Sequence, residues 1–376
     1  MGVLGSIKKF LGLSKKLIDK NDQASKKYGE IIFSKEEDDS SIGHLSEQKS
    51  DLEMLGKINT KVGHSESIVV NRKAPDKTVD TSWLGNNKPA TALPIGEFIH
   101  NERSDIEYRY GILKNTFIHL KGIGHQKESA LWTNGILTLD DALNKNILAK
   151  RRNCLQKSKQ DFEDRNWYPF YEGMNSKDHW RLFGDLANET AYIDIETTGL
   201  GSSTDIITTA VVHSLRSTHV FVNGMNLDRL PSHLSQFDLI VTYNGKSFDI
   251  PFIERFFQTT INIPHIDLRY VLSGMGYKGG LKSCEQQLSL PIRKGMEEID
   301  GYTAVLLWNY YCRTKDPNSL ETLLAYNYED SVRLEWLMIE AYNQKVSGLP
   351  FYSEQLHKPS LPFNPYTSHS AVLRRI

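Results

Sequence analysis

The sequence predicts an α/β domain in its C-terminal half, with a smaller, mainly helical segment ahead of it and a long polar arm at the N-terminus. Three observations carry this. From about residue 186, short runs rich in Ile, Val and Tyr alternate with helix-patterned runs, the signature of strands laid against helices. Carboxylates recur inside those apolar runs. The composition also changes near residue 94, where polar, aromatic-poor sequence gives way to globular sequence. The predicted organisation is 1–94 arm, 95–185 helical segment, 186–346 α/β domain and 347–376 C-terminal tail.

Residues 1–20 place Val3, Leu4, Ile7, Phe10, Leu11, Ser14 and Ile18 on one helical face, only Ser14 of them polar, with Lys8, Lys9, Lys15 and Lys16 largely elsewhere. Such a basic amphipathic helix suits packing on its own protein, or docking on a partner or a membrane surface. Residues 20–94 lack the apolar content to offset their ordering entropy, which predicts a disordered linker. No run of 18 apolar residues occurs, so no transmembrane segment is expected. The 376 residues carry 45 Lys+Arg against 46 Asp+Glu, a net charge of −1. That balance excludes a polybasic nucleic-acid binder, although local basic patches stay open. Cys154, Cys284 and Cys312 lack metal-ligand spacing. Neither a disulfide framework nor a structural zinc site is expected, which points to a reducing, cytoplasmic setting.

In the helical segment, Gly122-Ile123-Gly124 precedes one predicted helix, and Gly135 precedes a second that starts after Thr138, with Asp140 and Asp141 in its first turn. Glycines before a helix let backbone N–H groups approach a phosphate. The pattern resembles a helix-hairpin-helix element of DNA-binding proteins; a plain αα-hairpin fits equally. The aromatics Trp167, Tyr168, Phe170, Tyr171 and Trp180 predict packing, with a base-stacking platform as the alternative.

The strand predicted over 191–196 holds Asp194 and Glu196 two apart. Their side chains leave the same face about 7 Å apart, a repulsive pair that divalent cations relieve or that a solvated face of an edge strand tolerates. Strands follow over 206–213 and 219–222, then a helix over 227–236 and a buried strand over 238–243. That last strand runs into Asn244-Gly245-Lys246-Ser247-Phe248-Asp249 and a helix over 252–257. Asp249 reads either as an N-cap or as a carboxylate at the carboxyl end of a strand, where α/β sites form. Asn244 and Lys246 are candidate phosphate contacts or turn residues. A long helix over 320–344 carries Asp330 on its apolar stripe, one turn after Tyr326. A carboxylate there needs a metal or a buried cation such as Arg333 or Arg269. Glu329, about 100° around the helix, is expected to be exposed, and Asp267 to be structural.

The set Asp194, Glu196, Asp249, Tyr326 and Asp330 resembles the DnaQ-like 3′–5′ exonuclease superfamily, in its tyrosine subclass because Tyr326 stands four residues before Asp330. Over about 117–344 the chain is still more similar to the YprB-type RNase H-like family, in blocks such as AYIDIETTGL, VTYNGKSFDIPFI, HIDLRYVL and LETLLAYNYEDSVRLEWL. The resemblance implies an RNase H-like mixed sheet flanked by helices, with the Asp194 strand central. It implies a hydrolase cutting nucleic acid, DNA or RNA, with two divalent cations, Mg²⁺ or Mn²⁺. Asp194, Glu196, Asp249 and Asp330 would be the metal ligands, and Tyr326 would orient the attacking water. Gly122, Gly124, Asn244 and Lys246 are the candidate nucleic-acid contacts. The alternatives are a structure-selective endonuclease and a catalytically silent nucleic-acid-binding module.

Overall fold

The computed structural model describes residues 93, 95, 99, 100, 111–351 and 355–376. The amphipathic N-terminal helix and the linker expected over 20–94 therefore lie almost wholly outside the described residues.

Among the described residues, six strands form one mixed sheet. They are β1 (Ile99–His100), β2 (Thr190–Thr197), β3 (Ile207–His213), β4 (Ser217–Val222), β5 (Leu239–Thr242) and β6 (His265–Asp267), in the order β1-β4-β3-β2-β5-β6. β2, β3 and β4 make an antiparallel meander, β1 extends its edge, and β5 and β6 continue parallel to β2. Apart from the short edge strand β1, this is an RNase H-like sheet, and β2 is central as expected. The turn comes slightly earlier than the sequence suggested, since Ser217 already belongs to β4.

Among the described residues, twelve α-helices accompany the sheet: α1 (His125–Thr133), α2 (Leu139–Asn144), α3 (Arg152–Glu163), α4 (Tyr168–Gly173), α5 (Phe183–Leu186), α6 (Leu230–Leu234), α7 (Asp249–Phe257), α8 (Leu268–Ser273), α9 (Leu281–Gln287), α10 (Gly301–Thr314), α11 (Pro317–Val346) and α12 (Ser370–Leu373). Period-2 alternation divides β2 between two cores. Ala191, Ile193 and Ile195 pack with α6 and α7. Asp194 and Glu196 point the other way, toward α11. On that second face, Val211, Val220 and Val222 meet α10 and the first half of α11. The second half of α11 packs against the helical segment through Trp180, Phe183 and Leu186. Trp180 and Phe183 both set their rings against Tyr342. The dense aromatics of the segment are thus mostly packing.

α11 runs for 30 residues. Asp316 caps it by accepting from the Asn318 N–H, and Pro317 opens it, where a missing N–H is harmless. α2 starts as its sequence predicts: Thr138 and Asp141 exchange side-chain and backbone hydrogen bonds as a capping box. The helical segment is pinned inside by a buried ion pair, Arg181 Nη2 to Glu128 Oε2 at 2.8 Å. Glu128 also accepts the backbone N–H groups of Phe117 and Ile118, so the buried carboxylate is fully partnered. The tail returns to α11, where Asn364 donates to the Ala325 carbonyl at 2.9 Å and Tyr366 is buried against Tyr328. Cys154, Cys284 and Cys312 are free thiols. No helix among the described residues is long and apolar enough to cross a membrane.

Candidate active site

Strand pairing sets the first half of the site. Asp194 lies opposite Val211 and Glu196 opposite Thr209 on β3, and the register shifts just after Glu196. α11 crosses this face and brings Asp330 down on the pair. One carboxylate oxygen from each of Asp194, Glu196 and Asp330 can be chosen so that all lie within 4.8 Å of one another. Asp249 stands beside this group rather than in it. The sequence allowed it to be an N-cap, but the structure corrects this. Phe248 holds the cap position of α7, and the Asp249 carboxylate accepts instead from the Ile195 backbone N–H at 3.1 Å. That bond ties the start of α7 to the centre of β2.

Crowded together in this site, Asp194, Glu196 and Asp249 resist ionisation. Burial pushes Asp194 well above the usual carboxylate range, and the neighbouring charges of Asp330, Asp249 and Glu196 push it further; only the Asn327 hydrogen bond opposes the rise. Glu196 is raised well above its usual value by burial, then by Asp330 and Asp249. Burial raises Asp249 to about 7, against the Ile195 bond that favours its charged form. These are the effects expected of like charges in a low-dielectric site. Tyr326, one turn before Asp330, is raised above the ordinary phenol range by burial, by the carboxylates and by its hydrogen bond to Asp330. It therefore remains a donor.

Asp330 also has a cationic partner, though neither Arg333 nor Arg269. Arg293, from the loop after α9, pairs with Asp330 and grips Glu285 through Nε at 3.0 Å and through Nη2. Arg333 instead bonds Glu329 at 2.7 Å and the Pro291 carbonyl at 2.7 Å. Arg269 bonds the Asn244 side chain. Glu329, expected to be exposed, is 13% exposed in its side chain, because Arg333 and Asn364 of the returning tail cover it.

The other candidates lie in two places. Asn244 adopts a left-handed φ of 66°. Its side-chain oxygen accepts from Arg269 at 2.6 Å, and its N–H donates to Asp267 at 2.7 Å. Lys246 donates to Ser176 Oγ at 3.1 Å and His179 Nδ1 at 3.0 Å, and lies 5.0 Å from the Tyr171 ring centre. Burial lowers it to about 8. Both residues are held inside the turn that leads to Asp249, and Asp267 holds that turn by accepting from the Asn244 and Lys246 N–H groups. Gly122 and Gly124 lie at the entry to α1. Gly122 has φ +80°, and a Cβ on it would meet Arg151 Nη2 at 2.7 Å. Gly124 caps α1, with open space where a Cβ would be. Lys127 and Arg151 curl onto this turn, donating to the Gly122 and Lys121 carbonyls.

Residues 191–342 match the model of a family described as the RNase H superfamily. This region is similar to RNase H superfamily domains. All five acidic and tyrosine candidates fall inside it, whereas Gly122 and Gly124 fall outside. Among solved structures, the chain is similar to the family B DNA polymerase from the hyperthermophilic archaeon Pyrobaculum calidifontis. That match has 19% identity and a TM-score of 0.34, over 43% of this chain and 26% of that one. It is also similar to a structure described as the apo form of the nuclease, with 20% identity and a TM-score of 0.31, over 46% of this chain and 78% of that one. No curated protein matches the chain.

Two participants in the RNase H-like site escaped sequence reading. Asn327 follows Tyr326 on α11, and its side chain bonds Asp194 directly. Its signal was present: Asn327, Ser331 and Glu335 repeat every four residues, a polar line on a buried helix face. Arg293 had no such signal, because it sits in an irregular loop.

Proposed function

We propose that the protein is a metal-dependent nuclease that hydrolyses phosphodiester bonds of DNA or RNA, acting as a 3′–5′ exonuclease. The observation that carries the proposal is the convergence of Asp194, Glu196 and Asp330 within 4.8 Å, with Asp249 adjacent. Their fit to divalent cations rests on the donor set. All are carboxylates, the hard oxygen ligands that Mg²⁺ and Mn²⁺ prefer. Burial and mutual repulsion leave these charges in need of compensation.

Asp194, Glu196, Asp249 and Asp330 would hold two cations. Bound there, the cations supply a lowered pKa for an attacking water and charge stabilisation at the leaving oxygen. The chain's own groups do the rest. The Tyr326 hydroxyl stays protonated and donates, which suits orienting a water and rules it out as a strong base. β2 and α11 keep the carboxylates on one dry face, where their charges act strongly. Asn244, Lys246 and Asp267 fix the turn that delivers Asp249. The backbone N–H groups after Gly122 and Gly124 are the proposed phosphate contacts of the helical segment.

The helical hairpin favours one second reading, structure-selective endonuclease activity on branched or duplex DNA. The test uses 3′-labelled, 5′-labelled and circular DNA and RNA, with Mg²⁺, Mn²⁺ or EDTA. Stepwise shortening from the 3′ end with circles spared is the expected result, and cut circles indicate the endonuclease. Asp194→Asn should lose activity by orders of magnitude with its fold intact. Full activity in EDTA, or in that variant, refutes the metal mechanism and leaves a different site to be found.

A further inference from the structure

We infer that Asn327 is a positioning residue that fixes the Asp194 carboxylate for cation binding; the inference rests on the metal reading above. Asn327 is fully buried on α11. Its Nδ2 donates to two atoms of one residue, the Asp194 carbonyl at 3.1 Å and Oδ2 at 2.7 Å. Its Oδ1 accepts from the Thr209 hydroxyl at 3.0 Å, and Thr209 stands opposite Glu196 on β3.

This arrangement fixes which way the amide faces. The carbonyl and carboxylate of Asp194 only accept, so a flipped amide would set oxygen against two oxygens. The Thr209 hydroxyl can rotate to suit and completes the set from the other side. Asp194 is thus held in one rotamer by a short 2.7 Å bond, one that strengthens when the carboxylate ionises on binding a cation. Groups that orient metal ligands from behind typically change metal affinity by about 10–100-fold when removed.

The same helix face provides its own control. Ser331 donates to the Val211 carbonyl at 3.1 Å, and Glu335 pairs with His213 at 3.1 Å. Ser331 makes the same kind of helix-to-strand bond one turn away and touches no carboxylate of the centre. If Asn327 merely stapled α11 to the sheet, its loss and that of Ser331 would be equivalent.

The experiment measures Mn²⁺ affinity by electron paramagnetic resonance on the full chain, together with melting temperature. Asn327→Leu keeps the side-chain size and removes the amide. It is expected to weaken Mn²⁺ binding about tenfold or more. Thr209→Val removes only the bond that seats the amide and should weaken binding by a smaller factor. Ser331→Ala should bind as wild type while melting lower. Wild-type affinity in both Asn327→Leu and Thr209→Val overturns the positioning role. If Asn327→Leu does not fold, Thr209→Val against Ser331→Ala decides the matter, and equal affinities refute the inference. Wild-type protein that binds no Mn²⁺ removes the metal reading itself, and the positioning role with it; unchanged affinity in the variants alone leaves the metal reading standing.

Discussion

Replacing Asp249 by Asn should stabilise the metal-free protein at neutral and alkaline pH. The carboxyl rises from an ordinary 3.8 to about 7 in the folded chain. An acid whose folded pKa lies above its unfolded value holds its proton more tightly when folded. Stability is then complete below about pH 4, falls as pH rises through the window from 4 to 7, and is fully lost above it. At 1.36 kcal/mol per unit, ionising Asp249 costs the fold about 1.6 kcal/mol at pH 5 and at most about 4 kcal/mol at pH 8. Asn carries no charge, and its oxygen can still accept from the Ile195 N–H, so the variant avoids that cost. Relaxation and water entry reduce such costs. Half the ceiling still raises the melting temperature by about 4–8 °C. Urea unfolding in EDTA from pH 5 to 8.5 measures the difference between variant and wild type, which should grow with pH. Saturating Mn²⁺ should reverse the order, because the intact carboxylate set gains more from ligand; at 100 times Kd that gain is about 2.7 kcal/mol. A difference that stays flat with pH, or a variant less stable than wild type at pH 8 in EDTA, refutes the account of charge repulsion at the centre.

Tyr326→Phe keeps the buried ring and removes the donor. Turnover should fall about tenfold, near 1.4 kcal/mol, with Mn²⁺ affinity unchanged; loss of both would place the phenol among the ligands, and full activity would make it a packing residue. Arg293→Met leaves Asp330 without its cationic partner, so the protein in EDTA should lose about 3 kcal/mol or more. Mn²⁺ should restore a larger share of stability than it adds to wild type, and an unchanged melt in EDTA would contradict the ion pair. Gly122→Ala places a Cβ at φ +80° against Arg151 and should destabilise the chain by more than about 1 kcal/mol, read from chemical denaturation.

Much of the centre was legible because strand and helix periods leave little choice of face. A period of two put Asp194 and Glu196 together, and an apolar stripe interrupted by Asp330 marked the helix that meets them. The capping box at Thr138 was equally local. What escaped was long-range. The choice between cap and site carboxylate stayed open at Asp249 because the sequence does not show that the Ile195 N–H stands across from it, 54 residues away. Glu329 looked exposed because nothing local shows that the tail returns to cover it. Arg293 reaches Asp330 from an irregular loop that no period describes. The role of Asn327 stayed hidden because a buried amide on a helix has no evident target until its strand partner is known.

The span of chain between these carboxylates also bears on the order of assembly. Asn327 reaches Asp194 from 133 residues away, so the centre exists only after two long loops have closed. β2 alone brings together just Asp194 and Glu196; the full crowding of negative charge appears once α7 and α11 have docked. A folding transition state built from local contacts and the β2–β3–β4 meander would not yet contain it. Cations bound at the centre would then act on the completed fold, slowing its unfolding severalfold while the rate of refolding stays nearly constant.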